Sequence, residues 1–118
     1  MTEILLNLAE YETKALATAE YPDKGNNALY PALKLNGEAG EVAEKIGKLW
    51  RNQGQKCPSE YSVKDKSDIA NELGDVLWYV NALANEIGYH LHEIAAINLE
   101  KLASRSARGV IKSTGDNR

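Results

Sequence analysis

Two stretches decide the fold and the chemistry of this chain: GEAGEVAEK at residues 37–45 and NELGDVLWY at residues 71–79. Each contains two acids spaced three residues apart, Glu38 with Glu41 in the first and Glu72 with Asp75 in the second. On an α-helix, side chains spaced in this way point from one face, about one turn apart. Two such helices that face each other would gather four carboxylates around one point.

Four carboxylates repel one another unless a cation lies between them. Mg²⁺ binds carboxylate oxygens and usually leaves coordination positions for substrate phosphates, so the two pairs predict a Mg²⁺ site for a polyphosphate, with Mn²⁺ as an alternative ion. A solvated acidic face is the other interpretation of a single pair. Gly37, Gly40 and Gly74 favour the metal site, because a glycine within a helix costs about 1 kcal/mol relative to alanine. We expect these glycines on a buried seam, where helices approach closely or a ligand needs room.

Hydrophobic periodicity predicts an all-α chain of four helices packed as a bundle. The first helix begins at a Thr2 cap, a loop covers residues 21–27, and the second helix runs from residues 28–31 to about 52. The connection 53–64 precedes a third helix, from 65–68 to 86 or 87, and a fourth helix from 91 to 104. One domain therefore covers residues 1–108, with an irregular tail at 109–118. The apolar residues expected in the core include Leu29, Leu33, Trp50, Leu73, Leu77 and Trp78.

Composition excludes several classes of protein. A net charge of −3 argues against a general nucleic-acid binder, which would show a basic face. The single cysteine, Cys57, allows no internal disulfide. No stretch approaches the roughly 20 apolar residues of a membrane span, and the N-terminus lacks the pattern of a signal peptide. These observations predict a cytoplasmic protein with no membrane partner.

Basic residues accompany the acids. Lys34 lies one turn before Glu38, and Asn98, Lys101 and Arg105 follow one face of the fourth helix. A site for a triphosphate needs cations for the oxygens that a metal does not reach. An exposed amphipathic face with local ion pairs explains the same spacing equally well.

His90 and His92 are predicted to be helix-start or surface residues. Di-iron bundles use Glu-x-x-His pairs, but Glu86 is followed three residues later by Tyr89. Neither histidine stands beside an acid pair, so the pattern does not favour an iron enzyme.

Together, GEAGEVAE, NELGDVLWY and NLEKLASR (residues 98–105) resemble the MazG-type all-α nucleoside triphosphate pyrophosphohydrolases. The resemblance covers about residues 29–106, and the order of the three motifs is more specific than any one of them. The family hallmark is E-x-x-E, a spacer and E-x-x-D. Here the spacer, residues 42–71, has 30 residues and is slightly longer than usual, which a loop accommodates at small entropic cost.

The resemblance implies Mg²⁺-dependent hydrolysis of a (d)NTP between its α and β phosphates, giving (d)NMP and pyrophosphate. It also implies assembly as a homodimer or as a dimer of dimers, a homotetramer. Glu41 is the preferred general base and Glu38 the second choice, while Tyr79 either touches the nucleotide sugar or packs in the bundle. The residues implied to bind metal or substrate are Glu38, Glu41, Glu72 and Asp75 for the metal, and Lys34, Tyr79, Asn98, Lys101 and Arg105 for the substrate.

Three alternatives remain open at this point. The first is phosphoribosyl-ATP pyrophosphohydrolase activity on the same scaffold, which tests of substrates would separate. The second is a non-catalytic, metal-binding helical regulatory module, in which Mg²⁺ would stabilise the fold without nucleotide cleavage. The third is a purely structural bundle, which leaves the acid pairs and the helix glycines unexplained.

Overall fold

The computed structural model describes residues 5–54 and 57–109. Within them the chain forms four α-helices, one 3₁₀ turn and no strand, which confirms the all-α prediction. The prediction that the first helix begins at a Thr2 cap was wrong: the helix begins at Leu8, and the side chain of Asn7, its N-cap, accepts a hydrogen bond from the Glu10 amide. Thr2 itself and tail residues 110–118 lie outside the described part of the chain. None of the described helices is both long and apolar enough to cross a membrane. The elements are α1 (Leu8–Leu16), α2 (Leu29–Gln53), the 3₁₀ turn (Pro58–Glu60), α3 (Val63–Glu86) and α4 (Leu91–Arg108).

The centre of the fold is an antiparallel hairpin of α2 and α3. Lys45 of α2 lies near Glu72 of α3, whereas Glu38, earlier in α2, lies near Asp75, later in α3. The shorter α1 packs on α3 and α4, and α4 packs on α1 and α3. Among the described residues α4 does not contact α2, so one edge of the hairpin stays uncovered in a single chain.

Local side-chain chemistry explains where the helices start and stop. The Ser62 side chain accepts a hydrogen bond from the Asp65 amide at 3.0 Å, so α3 begins two residues before its predicted start. Gly88 has φ of 87° and separates α3 from α4, as predicted from its position. The fourth helix continues four residues past the predicted end and stops at Gly109, which adopts the left-handed conformation.

Two partly or fully buried acids hold the shorter segments in place. Glu12 of α1 is buried and accepts a hydrogen bond at 2.8 Å from the amide of Leu91, the first residue of α4. Its other oxygen lies 2.8 Å from Nδ1 of His90, the N-cap residue of α4, which confirms the helix-start prediction for that histidine. Such a carboxylate satisfies one of the free amides at the start of a helix.

Glu86, near the end of α3, organises the loop at residues 21–27. Its carboxylate accepts hydrogen bonds from the amides of Gly25 and Asn27, each at 2.8 Å, and from the Tyr21 hydroxyl. Because hydrogen bonds to a carboxylate favour its charged form, they lower the pKa of Glu86, the Tyr21 bond contributing most. The loop that enters α2 is thus held by one side chain.

The core of a single chain is small, and the prediction of its members was partly wrong. Leu29 is 69% exposed, Trp50 57% and Leu73 52%, although their spacing predicted core contacts. The helix glycines likewise face open space: a Cβ atom placed on Gly37, Gly40 or Gly74 would meet nothing within 4 Å, so the expected buried seam is not formed within one chain. The buried apolar residues are mostly small, and they include Ala15, Ala19, Leu49, Ala82, Ala84 and Leu91.

Candidate active site

The two acid pairs meet across the α2–α3 hairpin. Carboxylate oxygens of Glu38, Glu72 and Asp75 all lie within 4.8 Å of one another. Glu38 and Glu72 are half-buried, whereas Asp75 and Glu41 are exposed. Glu41 lies within hydrogen-bonding reach of both Glu38 and Glu72 when one partner carries a proton. We call these four residues the acidic cluster.

Burial and mutual repulsion raise the pKa of two members of the acidic cluster, Glu38 and Glu72, so these two are hard to ionise in the absence of a cation. The pKa of Glu38 is raised first by burial and then by the charge of Glu41, with smaller contributions from Asp75 and Glu72. The pKa of Glu72 is raised first by its hydrogen bond with Glu41 and then by burial, while the nearby Lys45 opposes the shift. Like charges held together in this way favour the protonated form.

Two oxygens of the acidic cluster provide a direct test of whether a metal ion fits. Oε2 of Glu38 and Oε2 of Glu72 are buried without a hydrogen-bond partner among the described residues. A buried polar atom left unpaired costs about 1–3 kcal/mol. Carboxylate oxygens are the ligands that Mg²⁺ prefers, so the donor set fits a hard divalent cation.

An aromatic pocket opens on the α1 side of the acidic cluster. It has a volume of about 330 Å³ and is lined by Thr18, Glu38, Asp75, Trp78 and Tyr79. The Trp78 indole donates a hydrogen bond to Oγ1 of Thr18 at 2.9 Å, so the turn that follows α1 helps to fix the orientation of the ring. Trp78, predicted in the core, is half-buried and forms part of the pocket wall.

Tyr79 lies within the electrostatic reach of the acidic cluster. Its pKa is raised first by burial, then by its hydrogen bond with Tyr30, and further by the charges of Glu38 and Asp75. Tyr11 of α1 also lies close by, since burial and the charge of Asp75 raise its pKa. Aromatic side chains thus border the acids from α1, α2 and α3.

A second pocket, which we call the lysine pocket, lies on the opposite side of the acidic cluster, toward the C-terminal end of α2. It has a volume of about 260 Å³ and is lined by Glu41, Glu44, Lys45, Lys48 and Glu72. Nζ of Lys45 is 3.9 Å from Glu72, and Nζ of Lys48 is 3.1 Å from Glu44. The sequence reasoning did not select these lysines, although positions four and seven residues after Glu41 share its helix face.

The other substrate residues predicted from sequence lie on α2 (Lys34) and on α4 (Asn98, Lys101 and Arg105). Lys34 and Asn98 are exposed, and Arg105 is buried. Lys101 and Arg105 each have an interaction partner in the chain. They lie on α4, which meets α1 and α3 but not α2 among the described residues.

The fold and the site together describe an all-α protein whose helical hairpin carries a carboxylate cluster suited to a divalent cation. The family comparison makes the class specific: residues 27–110 match the MazG nucleotide pyrophosphohydrolase domain, and the chain belongs to that family. The matched region contains the whole acidic cluster together with α2, α3 and α4.

Two relatives extend this comparison. The gene 37 protein of Mycobacterium phage L5 is 41% identical over 113 residues, covering 92% of this chain and 96% of the relative. The human dCTP pyrophosphatase 1 is 40% identical over 52 residues, which cover 44% of this chain and 29% of that enzyme. No solved structure gives a significant match.

Proposed function

We propose that this protein is a Mg²⁺-dependent pyrophosphohydrolase that converts (d)NTP to (d)NMP and pyrophosphate at the acidic cluster. The observation that carries the proposal is the convergence of Glu38, Glu72 and Asp75, whose oxygens lie within 4.8 Å of one another. The two buried oxygens without protein partners support a cation there. Membership of the MazG family and the partial likeness to a dCTP pyrophosphatase support the reaction.

Glu38, Glu41, Glu72 and Asp75 would hold Mg²⁺, which when bound supplies Lewis-acid polarisation of phosphate oxygens. Glu41 is the proposed general base, because it is exposed and adjoins both half-buried glutamates. Glu38 is the alternative, because its half-buried carboxylate adjoins Glu41 and lines the aromatic pocket.

The residues proposed for the substrate come from three helices. Tyr79 lines the aromatic pocket beside Glu38 and Asp75, where a nucleoside can contact it. Lys34 and Asn98 are proposed to assist in binding, and Lys101 and Arg105 to contact phosphates. Asn98, Lys101 and Arg105 lie on α4. The uncovered edge of the α2–α3 hairpin leaves room for a second copy of the chain to supply these three residues.

We further propose that the protein assembles as a homodimer or as a dimer of dimers. Large apolar side chains of α2, α3 and α4 are exposed in a single chain, among them Leu33, Leu73 and Leu99. The open space above Gly37, Gly40 and Gly74 would let the helices of a second copy approach closely. Sedimentation at micromolar concentration tests this assembly, and a clean 13 kDa species would contradict it.

The decisive experiment measures monophosphate and pyrophosphate release from a panel of ribo- and deoxynucleoside triphosphates, with Mg²⁺, with Mn²⁺ and with chelator. We expect metal-dependent release of both products. Asp75→Asn should reduce turnover at least 100-fold with an unchanged helical circular dichroism spectrum, because one ligand oxygen is replaced by an amide. Glu100→Gln, an exposed change on α4, serves as the control.

The same experiment separates the alternatives. Full activity in Asp75→Asn would refute the assignment of the metal site. If no triphosphate of the panel is cleaved but phosphoribosyl-ATP is, the protein is a phosphoribosyl-ATP pyrophosphohydrolase. An inactive panel in which Mg²⁺ only raises the melting temperature would favour the regulatory module.

A further inference from the structure

The acidic cluster separates two pockets of different chemistry. The aromatic pocket on the α1 side is lined by two aromatic rings, two acids and Thr18. The lysine pocket on the other side contains Lys45 and Lys48 beside three glutamates, two of which, Glu41 and Glu72, belong to the acidic cluster that would hold the cation. A nucleoside triphosphate has the same asymmetry, with a flat base at one end and most of its negative charge at the other.

We propose that Lys45 and Lys48 form the subsite for the β- and γ-phosphates, so that the substrate crosses the hairpin in one orientation with its nucleoside in the aromatic pocket. The inference rests on the proposed function and adds to it two lysines that were not among the substrate residues predicted from sequence. It also assigns the end of the site from which pyrophosphate departs.

The helix geometry sets the order of the groups along the site. Lys45 lies four residues after Glu41, about 6 Å farther along the α2 axis, and Lys48 lies about 4.5 Å beyond that. Both lysines line one pocket with Glu41 and Glu72, so they share the face that carries the acids. Trp78 lies in the opposite direction, one turn beyond Asp75 on the antiparallel α3.

Lys45 is held only loosely in the chain. Its Nζ atom is 3.9 Å from Glu72, which is longer than a hydrogen bond, and its side chain is 38% exposed. A cation bound by Glu72 would weaken this attraction further, because it offsets the charge of the carboxylate. The three N–H donors of the ammonium group are then available to phosphate oxygens.

Lys48 has a comparable freedom. Its partner Glu44 lies one turn earlier on the same helix, and both side chains are more than half exposed. Exposed pairs of this kind contribute little and exchange easily. A phosphate with several charges would therefore compete well for the ammonium group.

The proposed step is the attack of water on the α-phosphorus, with pyrophosphate as the leaving group. A water oxygen bonds to the α-phosphorus, and one of its protons passes to a carboxylate of the acidic cluster. The bond from that phosphorus to the αβ bridging oxygen breaks, and its electron pair leaves with pyrophosphate. Lys45 and Lys48 stabilise the charge that accumulates on this leaving group.

Equilibrium binding of the two products of dCTP cleavage tests the orientation. Titration calorimetry with Mg²⁺ measures the Kd of inorganic pyrophosphate and, separately, of dCMP. Lys45→Met and Lys48→Met should each weaken pyrophosphate binding about 10-fold, since each removes a charge-assisted contact, and should change the Kd of dCMP less than twofold. Lys45→Arg should restore most of the affinity, and Lys66→Met, an exposed change on α3, should alter neither Kd.

Two results would overturn the subsite. One is an unchanged Kd of pyrophosphate in folded Lys45→Met and Lys48→Met protein, and the other is an equal loss of affinity for pyrophosphate and for dCMP. Circular dichroism identifies variants that fold, and Lys45→Gln provides a second substitution at that position. Wild-type protein that binds pyrophosphate through these lysines but cleaves no triphosphate would refute the proposed function and leave the subsite standing. Triphosphate cleavage by wild-type protein, without a selective loss of pyrophosphate binding in the lysine variants, would refute the subsite and leave the proposed function standing.

Discussion

Glu12 offers a sharp test of how this small fold is held together. Its carboxylate is buried, accepts a hydrogen bond from the Leu91 amide at 2.8 Å and lies 2.8 Å from Nδ1 of His90. Glu12→Ala leaves the amide of the buried Leu91 without that partner, which costs about 1–3 kcal/mol. Loss of a negative charge at the start of α4 adds about 0.3–1 kcal/mol. We therefore expect the free energy of unfolding to fall by about 1.3–4 kcal/mol.

Urea unfolding followed by circular dichroism, at one fixed protein concentration, measures this loss. Glu12→Gln should fall between wild type and Glu12→Ala, because it keeps an acceptor oxygen but loses the charge. Glu20→Ala replaces an exposed acid just beyond α1 and should change stability by less than about 0.5 kcal/mol. A loss in Glu12→Ala no larger than in this control would refute the reasoning.

Three further perturbations test other contacts. The ion pair with a buried acid raises the pKa of His90 above 6.5, so its stabilisation is present below pH 6.5 and lost as pH rises through the raised value. His90→Gln should therefore flatten the fall of melting temperature above pH 6.5, and His92→Gln should leave the slope unchanged. Glu86→Ala should speed amide hydrogen exchange in the loop at residues 21–27, and unchanged protection would contradict its anchoring role. Because the pKa of Glu38 is raised above 4.5, the metal-free folded state binds more protons than the unfolded state above that pH and loses stability as pH rises. In chelator, Glu38→Gln should exceed the wild-type melting temperature by a margin that grows above pH 4.5, and a constant margin would argue against repulsion in the acidic cluster.

The acid pairs were readable in the sequence because their signal is local. A spacing of three residues within a helix places two acids on one face, and the antiparallel hairpin then brings Glu38 to Asp75. Lys45 and Lys48 follow from the same periodicity, although no motif pointed to them. The bounds of α2 and α3 were likewise predictable to within a few residues from their flanking turn residues.

Glu12 and Glu86 could not be found in this way. Glu12 sits in an acidic stretch that resembles a solvated helix face, and its partner Leu91 lies 79 residues away. Glu86 contacts the amide of Gly25 across 61 residues. Pairings of this kind depend on how the helices dock, which periodicity does not encode.

The sequence indicates which residues of a helix are apolar, but not which surface covers them. The spacing of Leu29 and Leu33 on α2 and of Leu73 on α3 predicted core contacts, yet these side chains are exposed in a single chain. Apolar periodicity indicates that a helix face is suited to burial. It does not indicate whether the surface that buries it belongs to the same chain or to another copy.

The α2–α3 connection has a practical consequence for engineering. Glu41 is twelve residues from the end of α2 at Gln53, about 18 Å along the helix axis, so the end of α2 lies far from the acids. Chain added there lengthens a loop at small entropic cost and leaves the hairpin register unchanged. A fluorescent reporter or an affinity tag inserted next to Gly54 should therefore report on the protein without entering its chemistry.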